Sequence, residues 1–99
     1  MVPQFSIDGF VDGTALLCPG CGHFNLHHER IEIFERAEDE PRGIHLTVFH
    51  GKATFDTSME GNPSSRRHGL KIRFSCETCV ARPVLTISQH KGITYMKFE

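Results

Sequence analysis

Tryptophan is missing and tyrosine occurs once among 99 residues, which leaves little aromatic surface for stacking bases beyond eight phenylalanines that a core will claim. No apolar run exceeds the four residues from Ala15 to Cys18, so no segment reads as a membrane span. The opening Met-Val-Pro-Gln-Phe-Ser has neither a basic region nor a long apolar stretch, and no signal peptide is expected. A dominant charge is also lacking: 11 Lys and Arg against 12 Asp and Glu give a net −1, which argues against a general nucleic-acid binder. Nucleotide-binding glycine loops, nucleophile elbows and paired-carboxylate motifs are absent too, so an enzyme is not expected. Alanine and leucine are scarce, ten together against 28 Val, Ile, Thr, Phe and Tyr, which tilts local preference toward strands.

What is present fits one mainly β, antiparallel domain spanning residues 1–99. Period-two alternation marks 44–50, where Ile44, Leu46 and Val48 face one way and His45, Thr47 and Phe49 the other, and 70–74, apolar on one face and basic on the other. Residues 30–36 read as a strand joined to 44–50 through a polar loop, Glu38 to Gly43, forming a hairpin. A second hairpin pairs 84–89 with 93–98 across His90-Lys91-Gly92, a three-residue connection suited to a type I turn plus a bulge at glycine. Gly61-Asn62-Pro63-Ser64-Ser65 breaks any regular element, so 56–69 is expected to be a mobile loop, and 1–13 an N-terminal arm.

The strongest signal is Cys18-Pro19-Gly20-Cys21 with Cys76-Glu77-Thr78-Cys79, two CxxC units that use all four cysteines. Without an export signal the chain is expected in a reducing cytoplasm, where such cysteines hold a metal or do redox chemistry rather than form structural disulfides. Tetrahedral zinc needs four such ligands, and each CxxC turn brings two thiolates to one ion, so one zinc per chain is expected at Cys18, Cys21, Cys76 and Cys79. Gly22 suits the left-handed conformation by which a chain leaves such a turn. The 54 residues between Cys21 and Cys76 are tolerable if they fold by themselves. Iron on the same thiolates is the alternative, since ligand softness does not separate the two metals.

This layout, CPxCG, a strand-rich insertion, a strand into a second CxxC and a closing hairpin, resembles the zinc-ribbon or rubredoxin-like group. The resemblance implies a metal held between two turns and a small antiparallel sheet. It differs from the commonest form in having Val80 where glycine is frequent. Asn62-Pro63-Ser64-Ser65-Arg66-Arg67, Phe74-Ser75-Cys76-Glu77-Thr78-Cys79 and Gln89-His90-Lys91-Gly92 also resemble stretches of short uncharacterised proteins of bacteria and their phages, which carry no known activity.

Seven histidines invite a second metal site, but four thiolates complete a tetrahedron, so His23, His27 and His28 are not expected as ligands. Glu38-Asp39-Glu40 reads as a solvated charge cluster rather than an acid and base pair. Residues 61–99 carry +5 whereas residues 29–60 carry −4. The positive charge centres on Arg66, Arg67, Lys71 and Arg73, with Arg82 and Lys91 nearby. Because zinc ribbons often serve nucleic-acid machinery, the resemblance implies a small zinc-binding accessory or regulatory protein. It would contact nucleic acid or a nucleic-acid enzyme through Arg66, Arg67, Lys71, Arg73 and Lys91. Two other readings stay open: an interaction module docking a protein through residues 35–40 or a sheet edge, and a rubredoxin-like electron carrier. No small-molecule substrate and no membrane partner are expected.

Overall fold

The computed structural model describes residues 1–6 and 12–99. Six strands, β1 (Leu26–Glu35), β2 (Arg42–Phe49), β3 (Lys52–Ser58), β4 (Gly69–Cys76), β5 (Val84–His90) and β6 (Ile93–Phe98), form one sheet in the order β3-β2-β1-β4-β5-β6. Every neighbouring pair is antiparallel. Among the described residues there is no α-helix, and none is long and apolar enough to cross a membrane.

The register turns the alternating sequence into rows of side chains that cross the whole sheet. On one face Phe55, Leu46, Ile33, Leu70, Ile87 and Met96 stand side by side. Next to them runs a second row, Ala53, Val48, Ile31, Ile72, Leu85 and Phe98. The opposite face carries Thr54, Thr47, Glu32, Lys71, Thr86 and Lys97, flanked by Lys52, Phe49, Arg30, Arg73 and Val84. A β-bulge in β1 between His28 and Arg30 moves the alternation by one residue. Glu29 thereby sits with Arg30 on the polar face, while His28 falls opposite Phe74 on the apolar one.

Three features differ from the sequence expectations. Strand β3 was not expected: it follows a two-residue turn in which His50 (φ 50°) and Gly51 (φ 74°) are both left-handed, the type I′ geometry that matches strand twist. Its residues are exposed on both faces, which is why no buried stripe marks it in the sequence. The second hairpin also turns in two residues, Lys91 (φ 51°) and Gly92 (φ 78°), because His90 pairs directly with Ile93. The irregular segment is shorter than 56–69, since 56–58 complete β3 and Gly69 opens β4.

That segment is hydrogen-bonded to itself and to the sheet. The buried Ser64 hydroxyl donates to Gln89 O (2.7 Å) and accepts from Arg67 N (3.0 Å), and the Arg36 guanidinium donates to Ser64 O (3.0 Å). Phe34 is fully buried in the region where this segment approaches the polar face, and its ring stacks on His45 at 4.3 Å. Of the expected arm, Met1 and Phe98 exchange two backbone hydrogen bonds of 2.7 Å, and Gln4 and Ser6 pair with Leu17 and Ala15. Residues 7–11 lie outside the described ones.

Candidate metal centre

The two CxxC turns sit at one end of the central strands. Cys76 ends β4 directly opposite Leu26, the start of β1, and the first turn packs against the second from residues 18–22. In the first turn Gly22 N donates to Cys18 O (2.8 Å), Cys18 N to His23 O (2.7 Å) and Gly20 N to Cys18 Sγ (3.3 Å). Gly22 takes the left-handed conformation (φ 79°) that releases the chain. The second turn leaves differently: Val80 is fully exposed without a left-handed φ, and Cys76 N donates to Ala81 O at 3.4 Å.

The structure gathers Cys18, Cys21, Cys76 and Cys79 so that their Sγ atoms all lie within 4.8 Å of one another. Cys18 to Cys79 is 3.8 Å and Cys21 to Cys76 is 3.6 Å. These separations are far beyond the ~2.05 Å of a disulfide. They match the edge of about 3.8 Å that a regular tetrahedron has when its arms are metal–sulfur bonds of ~2.3 Å. The four cysteines are therefore gathered closely enough to hold one metal ion.

The electrostatics of the four thiols point the same way. The Thr78 hydroxyl, 3.2 Å from Cys76 Sγ and 3.1 Å from Cys21 Sγ, holds Cys76 down at about 6 and, with the His23 backbone, pulls Cys21 down as well. Against the downward pull of the Ala81 amide, burial and the sulfurs of Cys76, Cys21 and Cys18 push Cys79 up to about 12. Crowded thiols that pull one another's ionisation apart are the signature of a site where negative charge accumulates, and a bound dication removes that repulsion.

The histidines after the first turn lie outside this cluster. His27 Nε2 pairs with Glu77 Oε2 at 2.9 Å, and His23 Nδ1 lies 3.4 Å from Asn25 Nδ2. Glu32 meets His45 (3.0 Å), which also reaches Asp56 (3.2 Å). Glu29 accepts from Arg73 (2.8 Å) and Arg82 (3.3 Å).

The five basic residues expected to contact a partner are split into three places. Lys71 and Arg73 share the polar face with Arg30, around a depression of about 200 Å³ also lined by Glu32 and Val84. The guanidiniums of Arg30 and Arg73 both lie over the Phe49 ring, 5.7 and 5.4 Å from its centroid. Arg66 is instead clamped by Asp39 through two hydrogen bonds of 2.6 Å, with Glu38 at 3.6 Å. Its guanidinium holds the Asp39 carboxyl below its ordinary range. Arg67 and Lys91 line a separate hollow at the far end of the sheet, with Glu38. Thr78, Arg30 and Phe49 were missed in the sequence; only the CxxC spacing singled out Thr78, and nothing local marks Arg30 or Phe49.

The fold and site together define an all-β antiparallel domain with a four-cysteine cluster that can hold a metal. Comparison with protein-family models, with curated proteins and with solved structures finds no match to this chain.

Proposed function

We propose that this chain is a non-catalytic, zinc-ribbon-like accessory protein of the cytoplasm that holds one structural zinc ion on Cys18, Cys21, Cys76 and Cys79 and binds nucleic acid, or an enzyme acting on it, through its polar sheet face. What supports the metal is the tetrahedral spacing of the sulfurs. The observation that carries the partner is the convergence of Arg30, Lys71 and Arg73 on one depression. The Phe49 ring beneath the Arg30 and Arg73 guanidiniums holds these two charges side by side, an arrangement suited to phosphate oxygens.

Relative to the expectation from sequence, the contact surface moves from the loop arginine Arg66 to the sheet. Lys97 joins it, in the same row as Lys71 across Thr86. Carboxylates of Glu29, Glu32 and Glu99 neutralise part of the charge, so affinity should be modest and strongly salt-dependent, with little sequence preference.

Fluorescence anisotropy of labelled single- and double-stranded oligonucleotides with the zinc-loaded protein, repeated across a salt series, tests this reading. Wild type should bind at low salt, and a Lys71→Glu, Lys97→Glu variant should lose binding with unchanged zinc content. No binding of the wild type at low salt rejects the nucleic-acid reading. Elemental analysis with a visible spectrum separates zinc from iron, because ferric thiolate absorbs in the visible and zinc thiolate does not; iron at full occupancy would favour electron transfer.

A further inference from the structure

We infer that this protein is a homodimer in which the apolar faces of two copies pack on each other as a β-sandwich. The inference uses the face opposite the polar one and does not rest on the nucleic-acid reading.

A sheet with one apolar face needs a second layer to bury it, and among the described residues no helix or second sheet covers this face beyond its β5–β6 side, where Leu85 and Phe98 are buried. Two adjoining rows of six side chains cross all six strands on that face without a charged group. The largest uncovered side chains lie toward β3, with Phe55 78% exposed, Ile44 57% and Val48 39%; on the β5–β6 side Leu85 and Phe98 are buried and Met96 is 44% exposed. The whole molecule carries the mark of the missing layer. Its Cα radius of gyration is 14.6 Å, against about 13 Å for a compact domain of this length. Its accessible surface is 6729 Å², against about 5,700 Å² for a compact monomer of this mass. The excess, on the order of 1,000 Å², is close to the roughly 800 Å² that each partner contributes to a standard interface.

A second copy fits this face better than a charged or polar partner does, because its two central rows carry no charge and are self-complementary, with Glu35 beside Ile44 the charged group at their margin. The relief of the face agrees. Phe55 projects at the β3 end of its row, and a mostly apolar hollow of about 130 Å³ lies further along the same row, bordered by Ile33, Leu70 and Ile87 with Glu35, His68 and Gln89 at its rim. A two-fold axis running along the strands between β2 and β1 sets Phe55 of each copy opposite Leu70 of the other. It overlaps the uncovered strands β3, β2, β1 and β4 in the aligned geometry of sandwiches and leaves the β5–β6 side free.

Sedimentation of the zinc-loaded full chain at rising concentration should give twice 11.2 kDa. Phe55 supports little of the monomer's own core, so Phe55→Glu should weaken the dimer by about 30-fold or more while leaving circular dichroism and zinc content unchanged. A mixed sample of labelled and unlabelled copies gives a second reading independent of the variant, through intermolecular contacts between Phe55 and the Leu70 methyls by filtered NMR. A wild type that stays monomeric up to about 100 μM overturns the proposal, as does a dimer indifferent to Phe55→Glu or one lacking those contacts.

Discussion

Thr78 shows how much one side chain inside a metal-binding turn can contribute. Its hydroxyl stands 3.1 Å from Cys21 Sγ and 3.2 Å from Cys76 Sγ, donating its single proton to one thiolate or the other. Cys76→Ser should abolish stoichiometric metal binding. Thr78→Val should keep all four ligands yet weaken metal affinity by about 10-fold, as loss of an outer-shell hydrogen bond does, measured by competition with a chromophoric chelator. At the other end of the molecule, Asp39 and Arg66 form the tightest ion pair, linking the acidic and basic segments that the sequence displays separately. Because Arg66 lowers the folded pKa of Asp39 below its ordinary 3.8, the pair's stabilisation is complete above that value and fades as pH falls through the folded one. Asp39→Asn should therefore flatten the acid limb of a melting temperature against pH profile below about pH 4, with little change in its shape at neutral pH.

Hairpin turns decide the register of this sheet at the level of its elements. Both two-residue turns, His50-Gly51 and Lys91-Gly92, place two consecutive residues at positive φ, and in each the first is not glycine. A Cβ at Gly92 would meet nothing within 4 Å, so the cost of Gly92→Ala is conformational alone. It should lower stability by about 1 kcal/mol, read from the urea midpoint at unchanged slope. Lys91→Asn should act in the opposite direction, since asparagine tolerates the left-handed region better than lysine does. The β1 bulge has a different consequence. By moving Glu29 to the polar face it supplies the carboxylate that Arg73 and Arg82 share, a pairing that strict alternation from Ile31 and Ile33 would forbid.

For the whole molecule, the four-cysteine cluster joins the two central strands at one end, where Leu26 pairs with Cys76, and at the other the irregular segment leading into β4 is tied to Arg36 at the end of β1. With zinc bound as proposed, its removal would free four crowded thiols and untie the first turn from the second. Chelation should therefore lower the melting temperature and raise hydrogen exchange first at Leu26, His27, Ser75 and Cys76. The β2–β3 hairpin, away from the cysteines at the edge of the sheet, should change its exchange least on chelation. Equal loss of protection in all six strands would mean instead that the metal supports the sheet as a whole.

The sequence by itself determined which four cysteines cluster, because CxxC spacing is a local property that needs no knowledge of the fold, and most of the strands, because period-two alternation records which face is apolar. It could not reveal β3, whose residues are exposed on both sides, nor the two-residue turns, since Lys91 and His50 carry no strong signal for positive φ. Only the tertiary structure decided what the charges do. Ion pairs such as Asp39 with Arg66 and Glu29 with Arg73 join residues 27 and 44 positions apart, so a basic stretch read along the chain becomes a clamp in one place and part of a shared face in another. The same holds for the apolar rows: alternation says that each strand has an apolar side, but only the register of six strands assembles those sides into one continuous surface.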